Sequence, residues 1–165
     1  MQGNNFDAIE GAKSYIGTKQ VTAKPMNRLS YNNFKGWDLP ADEDGSDEGY
    51  IVQYTGGYVS WSPEAQFHSA YRLTTGLNFG LALEALKAGS RVARAGWNGK
   101  GMWLVLQPGS KGPIPMTSGS VYARHGLVEV QIDPHIDMMT VRGTMQPGWL
   151  ASQSDMLAND WSIVE

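Results

Sequence analysis

The sequence predicts an α+β fold: a small antiparallel β-sheet packed by short helices, with an N-terminal α+β extension before it. The first observation is that segments with the apolar spacing of amphipathic helices are mixed with short runs of β-favouring residues. The second is size and composition. The 165 residues, 41% hydrophobic and 18% charged, suffice for one ordinary domain or two small ones and exclude wholesale disorder.

The first half of the chain is predicted to be a mixture of helix, loop and hairpin. Gly56 and Gly57 separate two β-rich runs and supply the positive φ angles of a hairpin turn. After the hairpin, Ser62 is predicted to cap a helix and Pro63 to be its first residue. The predicted elements are a helix over residues 5–14, an ordered loop around Trp37 over residues 24–40, strands at 50–54 and 58–61, and an amphipathic helix bearing Phe67, Ala70 and Tyr71.

The second half is predicted to begin with a helix and continue as strands. Asn78 caps a helix whose apolar residues Phe79, Leu83 and Leu86 share one face, and Gly89 ends it. The other predicted elements are strands at 91–94, 102–107, 127–133 and 135–141, a long loop at 108–120, a helix at 153–158 and a strand near 161–164. Both faces of residues 102–106 are apolar. We therefore expect one face to meet a helix and the other to meet a partner subunit.

Charge separates the two halves of the chain. Residues 1–76 carry six basic and nine acidic side chains, whereas residues 77–165 carry seven of each. We therefore predict two domains with these bounds, joined by a short segment at 72–76. Five carboxylates fall within residues 42–48, but without the alternating spacing of a calcium loop. A solvated acidic turn is the favoured interpretation, and cation binding is the alternative.

Composition excludes several classes of function. A net charge of −3 predicts no binding to DNA or RNA polymers and none to anionic membranes. The chain has no cysteine, which excludes disulfides, thiol catalysis, Cys-ligated zinc and iron–sulfur clusters. No signal peptide or membrane span is predicted, so we expect a cytosolic protein.

Residues 96–101, Gly-Trp-Asn-Gly-Lys-Gly, form the first candidate site. The glycines allow close backbone approach, Lys100 offers a charge, Asn98 a two-sided amide and Trp97 a ring, so the turn can cradle a phosphorylated nucleotide. Its spacing matches neither a Walker loop nor a dinucleotide-binding fingerprint. A glycine-rich turn that packs its Trp is the alternative, which spacing alone favours.

Residues 149–155 form the second candidate site. Trp149 precedes a predicted helix start, where free backbone N–H groups favour anions. Ser152 and Asp155 have the spacing of residues that cap such a helix. Capping and ligand binding are compatible, because a capped helix can still present an N–H group to a ligand.

Asp133, His135 and Asp137 alternate along the chain, so an extended backbone places them on one face. Such a cluster can bind a metal or perform acid–base chemistry on a phosphodiester. A phosphodiesterase or ADP-ribose hydrolase is therefore an alternative function. Pro134 interrupts the strand, however, and an exposed polar strand edge is favoured. A third hypothesis is a structural or interaction module whose rings serve only core and interface.

Three motifs of the second half occur in a characteristic order. Asn-Phe-Gly starts at residue 78, Arg-Ala-Gly-Trp-Asn-Gly-Lys at residue 94, and Trp-Leu-Ala-Ser-Gln-Ser-Asp at residue 149, followed by Asp-Trp at 160 and 161. They resemble the phage Thoeris anti-defence type 2 family, over slightly more than half of the chain.

The resemblance implies a non-enzymatic protein that binds and sequesters, without cleavage, the cyclic ADP-ribose isomer made by bacterial TIR-domain defence. It implies action in the cytoplasm of the infected host and a homotetramer with nucleotide pockets between subunits. Some members also capture the cyclic oligonucleotide signals of cyclase-based (CBASS) defence. The resemblance implies no cofactor. The ligand-binding residues that it implies are Phe79, Arg94, Trp97, Asn98, Lys100, Trp149, Ser152, Gln153 and Asp155.

The residues before position 77 depart from the short members of this family, which begin near the Asn-Phe-Gly motif. Residues 24–72 resemble an accessory module of phage open reading frames to which no activity is attached. We expect this module to widen a subunit interface, to add a second site or to stabilise the fold.

Overall fold

The computed structural model describes residue 13 and residues 16–164. The helix predicted at 5–14 thus lies outside the described residues, apart from Lys13. The chain divides into two units, Met1–Tyr71 and Arg72–Glu165, and residues 72–76 group with the second. No helix in the described part of the chain is long and apolar enough to cross a membrane.

In its described residues, the first unit contains a three-stranded antiparallel sheet in the order β1-β2-β3 and two helices. Tyr54 donates and accepts backbone hydrogen bonds across the turn at Gly56 and Gly57, where φ is 95° and 87°. The predicted hairpin is therefore confirmed. The elements are β1 (Thr22–Pro25), α1 (Arg28–Lys35), β2 (Gly49–Gln53), β3 (Val59–Pro63) and α2 (Glu64–Ala70).

The loop predicted over residues 24–40 is wrong, because this segment holds the end of β1 and all of α1. The Asn27 side chain accepts a hydrogen bond from the Ser30 N–H at 2.9 Å and so caps the helix. Gly36 ends it with φ 70°. Both prolines lie outside the helix, so neither disrupts its hydrogen bonds.

The helix predicted after the hairpin exists, but its predicted start is wrong. Ser62 and Pro63 belong to β3, where they pair with β2, and Pro63 occupies the N-cap position without a side-chain hydrogen bond. The apolar face is as expected. Phe67 stacks on Tyr50 with ring centroids 4.0 Å apart and also contacts Tyr71.

The acidic segment at 42–48 forms turns at the surface. Ser46 donates to the Asp44 carboxylate from both its N–H and its hydroxyl group, and these bonds lower the pKa of Asp44. Arg28 pairs with Glu43 through two nitrogens. Among the described residues, no group of three or more acidic or histidine side chains is arranged to hold a metal ion.

The second unit has a five-stranded antiparallel sheet in the order β10-β4-β5-β8-β9, which with the helices confirms the α+β fold. A separate two-stranded pair, β6-β7, flanks a short helix. The elements are α3 (Phe79–Lys87), β4 (Arg91–Arg94), β5 (Trp103–Gln107), β6 (Ile114–Pro115), α4 (Val121–Arg124), β7 (Glu129–Val130), β8 (His135–Met139), β9 (Met145–Gln146), α5 (Gln153–Met156) and β10 (Trp161–Val164).

Helix α3 forms as predicted and packs on one face of this sheet. Asn78 accepts from the Leu81 N–H at 2.9 Å, and Gly89 follows the last turn with φ 92°. Ala82 and Leu86 are buried against residues of four strands. The strand residues of this core are Val92, Leu104, Met138 and Trp161.

Three other predicted elements are longer than the observed ones. The strand expected at 127–133 is only β7, the strand expected at 135–141 ends at Met139, and the helix expected at 153–158 ends at Met156. The loop expected at 108–120 contains the two residues of β6, which pair with β7. Gly126, with φ 85°, turns the chain after α4 and so limits the strand that follows.

Replacing Asn78 with Ala should lower the free energy of unfolding by about 1 kcal/mol, because the Leu81 N–H loses its partner at the helix start. Asn78→Ser is the matched control, since Ser keeps an accepting oxygen at the cap. Urea denaturation followed by Trp fluorescence measures both variants. Equal midpoints for wild type and Asn78→Ala would contradict the capping role.

Candidate functional site

Four aromatic rings meet where the start of α3 approaches the ends of β4 and β10. Trp161 is fully buried and contacts Phe79, Trp97 and Trp149, with ring centroids 5.4 to 6.2 Å away. Those three rings are half-buried. The structure therefore brings Phe79, Trp97 and Trp149, the three predicted aromatic site residues, together around Trp161, which was not a predicted site residue.

Trp97 and Trp149 contact each other edge to face, with centroids 6.3 Å apart and planes inclined by 67°. A base sandwiched between two rings needs those rings to be nearly parallel. In this arrangement each ring can therefore offer a separate stacking surface, but the two cannot clasp one base between them.

Arg94 lies beside these rings and binds two carboxylates. Its Nη1 donates to Asp155 Oδ1 at 2.9 Å, and its Nε donates to Asp160 Oδ1 at 2.8 Å. Its guanidinium carbon also lies 5.9 Å from the Trp161 ring centroid. The side chain is 14% exposed. Because two carboxylates already neutralise it, Arg94 positions the site rather than offering a free charge to an anion.

Asp155 connects this ion-pair network to helix α5 and to the rings. Its Oδ1 also accepts from the Trp97 indole N–H at 3.1 Å, and its backbone carbonyl accepts from the Trp161 indole N–H at 3.0 Å. Its Oδ2 accepts from the hydroxyl and N–H groups of Ser152 in a capping box. The predicted cap is confirmed, and it fixes the Trp97 ring as well as the helix.

Hydrogen bonds lower the pKa of both carboxyl groups, those of Asp155 and Asp160. Burial alone would raise the pKa of Asp155, but the hydrogen bonds from Ser152, Arg94 and Trp97 outweigh it and lower that pKa to about 2. Hydrogen bonds from Arg94, together with the Gly96 N–H, lower the pKa of Asp160. The same bonds raise the pKa of Arg94. All three groups are therefore charged near neutral pH.

The glycine-rich turn packs against its own protein. The Gly96 N–H donates to Asp160 Oδ2 at 2.7 Å, and a Cβ at this position would meet that same oxygen. A Cβ at Gly99 would overlap Val141 and Met102. These two glycines therefore allow tight packing, which agrees with the interpretation of a turn that buries its Trp.

Two predicted site residues in this turn remain accessible. Asn98 and Lys100 are exposed, and neither side chain forms a hydrogen bond or ion pair with the described residues. Gln153, at the first position of α5, is also exposed. Ser152 differs, because its hydroxyl group serves the cap and contacts Ser154 at 2.8 Å. The turn that continues from Trp97 thus exposes the amide of Asn98 and the ammonium group of Lys100.

The alternating cluster forms only in part. His135 Nε2 lies 3.4 Å from Asp137 Oδ1, whereas its Nδ1 lies 2.8 Å from the backbone carbonyl of Asp133. The Asp133 carboxylate forms no hydrogen bond with the described residues. Both ring nitrogens of His135 therefore have neighbours within the chain. Asp137 Oδ1 also accepts from the N–H of Gly148, the residue before Trp149, at 3.3 Å.

Sequence reasoning missed Asp160 and Trp161 as site residues. Both residues belong to the site because the segment 161–164 pairs with β4, where Trp161 lies opposite Arg94. This register places Asp160 beside the Arg94 guanidinium and the Trp161 ring beneath the other rings. Strand pairing is not visible in a single sequence, so only the spacing of the motif pointed to these two residues.

Comparisons with known proteins place the same segment in a family. A model described as Tad2-like, the Thoeris anti-defense 2-like domain, matches residues 77–164. Thoeris anti-defense 2 of Bacillus phage SP01 is 35% identical over 92 residues, which cover 56% of this chain and 99% of that protein. The family match includes the aromatic cluster, the ion-pair network and the exposed turn.

Asp155 should make the stability of the second unit depend on acid pH. Its pKa is depressed in the folded state, so its contribution is present above about pH 3.8 and is lost as pH falls towards 2. Asp155→Asn should lower the melting temperature at pH 7 and flatten the decline between pH 4 and 2. Thermal melts at each pH measure this effect.

The matched control is Asp133→Asn, which alters an exposed carboxylate without a hydrogen-bond partner among the described residues. This variant should retain the wild-type profile. A profile for Asp155→Asn that runs parallel to wild type across the same range would contradict the assigned role of Asp155.

Proposed function

Because the chain belongs to the Thoeris anti-defense 2-like family, we propose that it is a phage anti-defence protein that binds and sequesters a cyclic ADP-ribose isomer made by bacterial TIR-domain immunity. It holds this signal without cleaving it, in the cytoplasm of the infected host. The same pocket chemistry extends to cyclic oligonucleotide signals of cyclase-based defence.

One observation carries the proposal: the half-buried Trp97 and Trp149 rings meet edge to face, and the turn that continues from Trp97 exposes the amide of Asn98 and the ammonium group of Lys100. Nucleobases stack on aromatic faces, and an amide such as that of Asn98 can both donate to and accept from a base or ribose. Lys100 supplies the positive charge that a phosphate needs. These are the complementary groups for a small cyclic nucleotide.

The charge distribution supports a compact anion as the ligand. Residues 77–165 carry seven basic and seven acidic side chains, and the two carboxylates next to Arg94 neutralise one of the cations closest to the rings. A long polyanion needs an extended positive surface. Two phosphates on one small ring need only a local cation, which Lys100 provides.

Sequestration requires affinity and stoichiometry rather than turnover. In this proposal the site residues bind and orient the ligand, and none of them attacks it or transfers a proton. Arg94, Asp155 and Ser152 act by fixing Trp97 and the start of α5. We assign them as positioning residues, whereas Asn98, Lys100 and the two Trp rings contact the ligand.

A homotetramer with pockets between subunits completes the proposal. Each of the Trp97 and Trp149 rings can offer its own stacking surface, but their planes are too inclined to clasp one base between them. A second copy can supply the opposite wall. The residues before position 72 form their own unit, for which the proposal assigns no contact with the ligand.

A capture-and-release experiment tests this function directly. Purified full-length protein is incubated with the TIR-derived signal, separated from free ligand and then heated to denature it. Intact ligand of unchanged mass should appear only after heating. Ligand that stays in the free fraction throughout would refute sequestration. A lasting change of ligand mass, abolished by His135→Ala, would instead support the hydrolase alternative.

Asn98→Ala should weaken capture by about fivefold, because a typical lost hydrogen bond costs on the order of 1 kcal/mol. Asn33→Ala is the matched control: it removes an exposed amide from the first unit and should bind like wild type. Isothermal titration measures both affinities. Since Asn98 forms no side-chain hydrogen bond with the described residues, its loss should leave the melting temperature unchanged.

A further inference from the structure

The segment that leads from β9 to Trp149 carries one residue more than the strand beside it. Met138 on β8 pairs with Gln146 on β9, so continued antiparallel pairing would place Ile136 opposite Gly148. Instead, the Ile136 carbonyl accepts from the Trp149 N–H at 2.7 Å. Gly148, with φ 77°, is therefore the extra residue of a bulge, in a conformation that glycine adopts readily.

This bulge sets the direction of the Trp149 side chain. Side chains alternate across a sheet, so a shift of one residue moves a side chain to the opposite face. Because of the extra residue, Trp149 takes the position opposite Ile136, and both side chains pack against the core that contains Trp161. Bulges next to functional sites redirect side chains in this way. The bulge therefore places the Trp149 ring among the other rings of the site.

The bulge also leaves the Gly148 N–H without a carbonyl partner on β8, and Asp137 supplies the missing acceptor. Its Oδ1 accepts from this N–H at 3.3 Å, which satisfies a backbone donor that the strand pairing does not. His135 Nε2 lies 3.4 Å from the same oxygen and so confines the carboxylate from its other side. Two consecutive residues of β8, Ile136 and Asp137, therefore hold two consecutive N–H groups of the segment.

Trp149 depends on this backbone support more than the other two indoles of the site. The indole N–H groups of Trp97 and Trp161 both donate to Asp155, whereas that of Trp149 forms no hydrogen bond with the described residues. Its three ring contacts are edge-on, with centroids 6.2 to 6.5 Å away. The orientation of Trp149 is therefore determined mainly by the path of the backbone at residues 148 and 149.

We infer that Asp137 is a positioning residue for ligand capture: by accepting the N–H that the bulge frees, it fixes the Trp149 ring in the site. Asp137 acts through the backbone of Gly148 and does not contact the ligand itself. The inference rests on the proposed function, in which Trp149 contacts the ligand. It assigns the pair of His135 and Asp137 to binding, whereas the hydrolase alternative assigns the same pair to acid–base chemistry.

Two substitutions of similar shape separate hydrogen bonding from packing. Asp137→Asn keeps an accepting oxygen, whereas Asp137→Leu has the same branched outline without an acceptor. Isothermal titration with the TIR-derived signal should show that Asp137→Leu binds at least about fivefold more weakly and that Asp137→Asn binds like wild type. Asp133→Leu, which removes an exposed carboxylate, is the matched control and should also bind like wild type. Equal affinities of the two Asp137 variants would overturn the inference.

A fluorine NMR spectrum of the full chain tests positioning without any ligand. The six tryptophans are labelled with 5-fluorotryptophan, and the Trp149 signal is assigned from Trp149→Phe. Asp137→Leu should shift or broaden this signal and leave that of the fully buried Trp161 in place, whereas Asp137→Asn should preserve both. An unchanged Trp149 signal, or an equal displacement of both signals as expected for a general structural role, would overturn the inference.

Amide hydrogen exchange of the wild-type protein keeps the test valid if Asp137→Leu fails to fold. The Gly148 amide should exchange more slowly than the Gly119 amide, which is exposed and forms no hydrogen bond with the described residues. Equal exchange rates, corrected for neighbouring residues, would overturn the inference. The NMR and exchange measurements need no ligand, so they decide the role of Asp137 separately, whereas the heat-release assay on wild type decides sequestration.

Discussion

Arg94 is the residue on which the second unit depends most, because it links two segments that are more than 60 positions away in sequence. It donates to Asp155 at the start of α5 and to Asp160 just before β10. Both acids also bind backbone N–H groups, so each ion pair fixes the chain path and not only a side chain. Removing one member would leave buried charge without its partner, which costs far more than an exposed ion pair contributes.

The aromatic cluster is built on this network. Trp97 donates to the carboxylate that Arg94 holds, and Trp161 donates to the backbone of the same residue. The indole groups therefore have fixed orientations before any ligand arrives. A site whose rings are already ordered loses less conformational entropy on binding than one whose rings must be immobilised. Such preorganisation supports the proposed role in binding.

Local sequence patterns predict a helix when it has a capping residue and an apolar face. They do not predict contacts that depend on how strands pair. Asn78, the spacing of Phe79 and Leu86, and Gly89 predicted α3 correctly. The same kind of signal existed at Asn27 and Gly36, but the prolines on either side favoured a loop, and α1 was missed. In the site, the cap formed by Ser152 and Asp155 was visible as a motif. The link to Arg94 was not, because it depends on the register of β10 against β4.

The two ion pairs of Arg94 within the protein also bear on the proposed ligand. If its guanidinium were free, it would attract any phosphate, including the abundant mononucleotides of the cell. Bound to two carboxylates, it contributes geometry, and Lys100 is the exposed cation of the turn that follows Trp97. A weakly charged site must obtain its affinity from shape, stacking and directed hydrogen bonds. Discrimination by such contacts is strong when a ligand lacks a matching group, which agrees with a compact cyclic nucleotide as the proposed ligand.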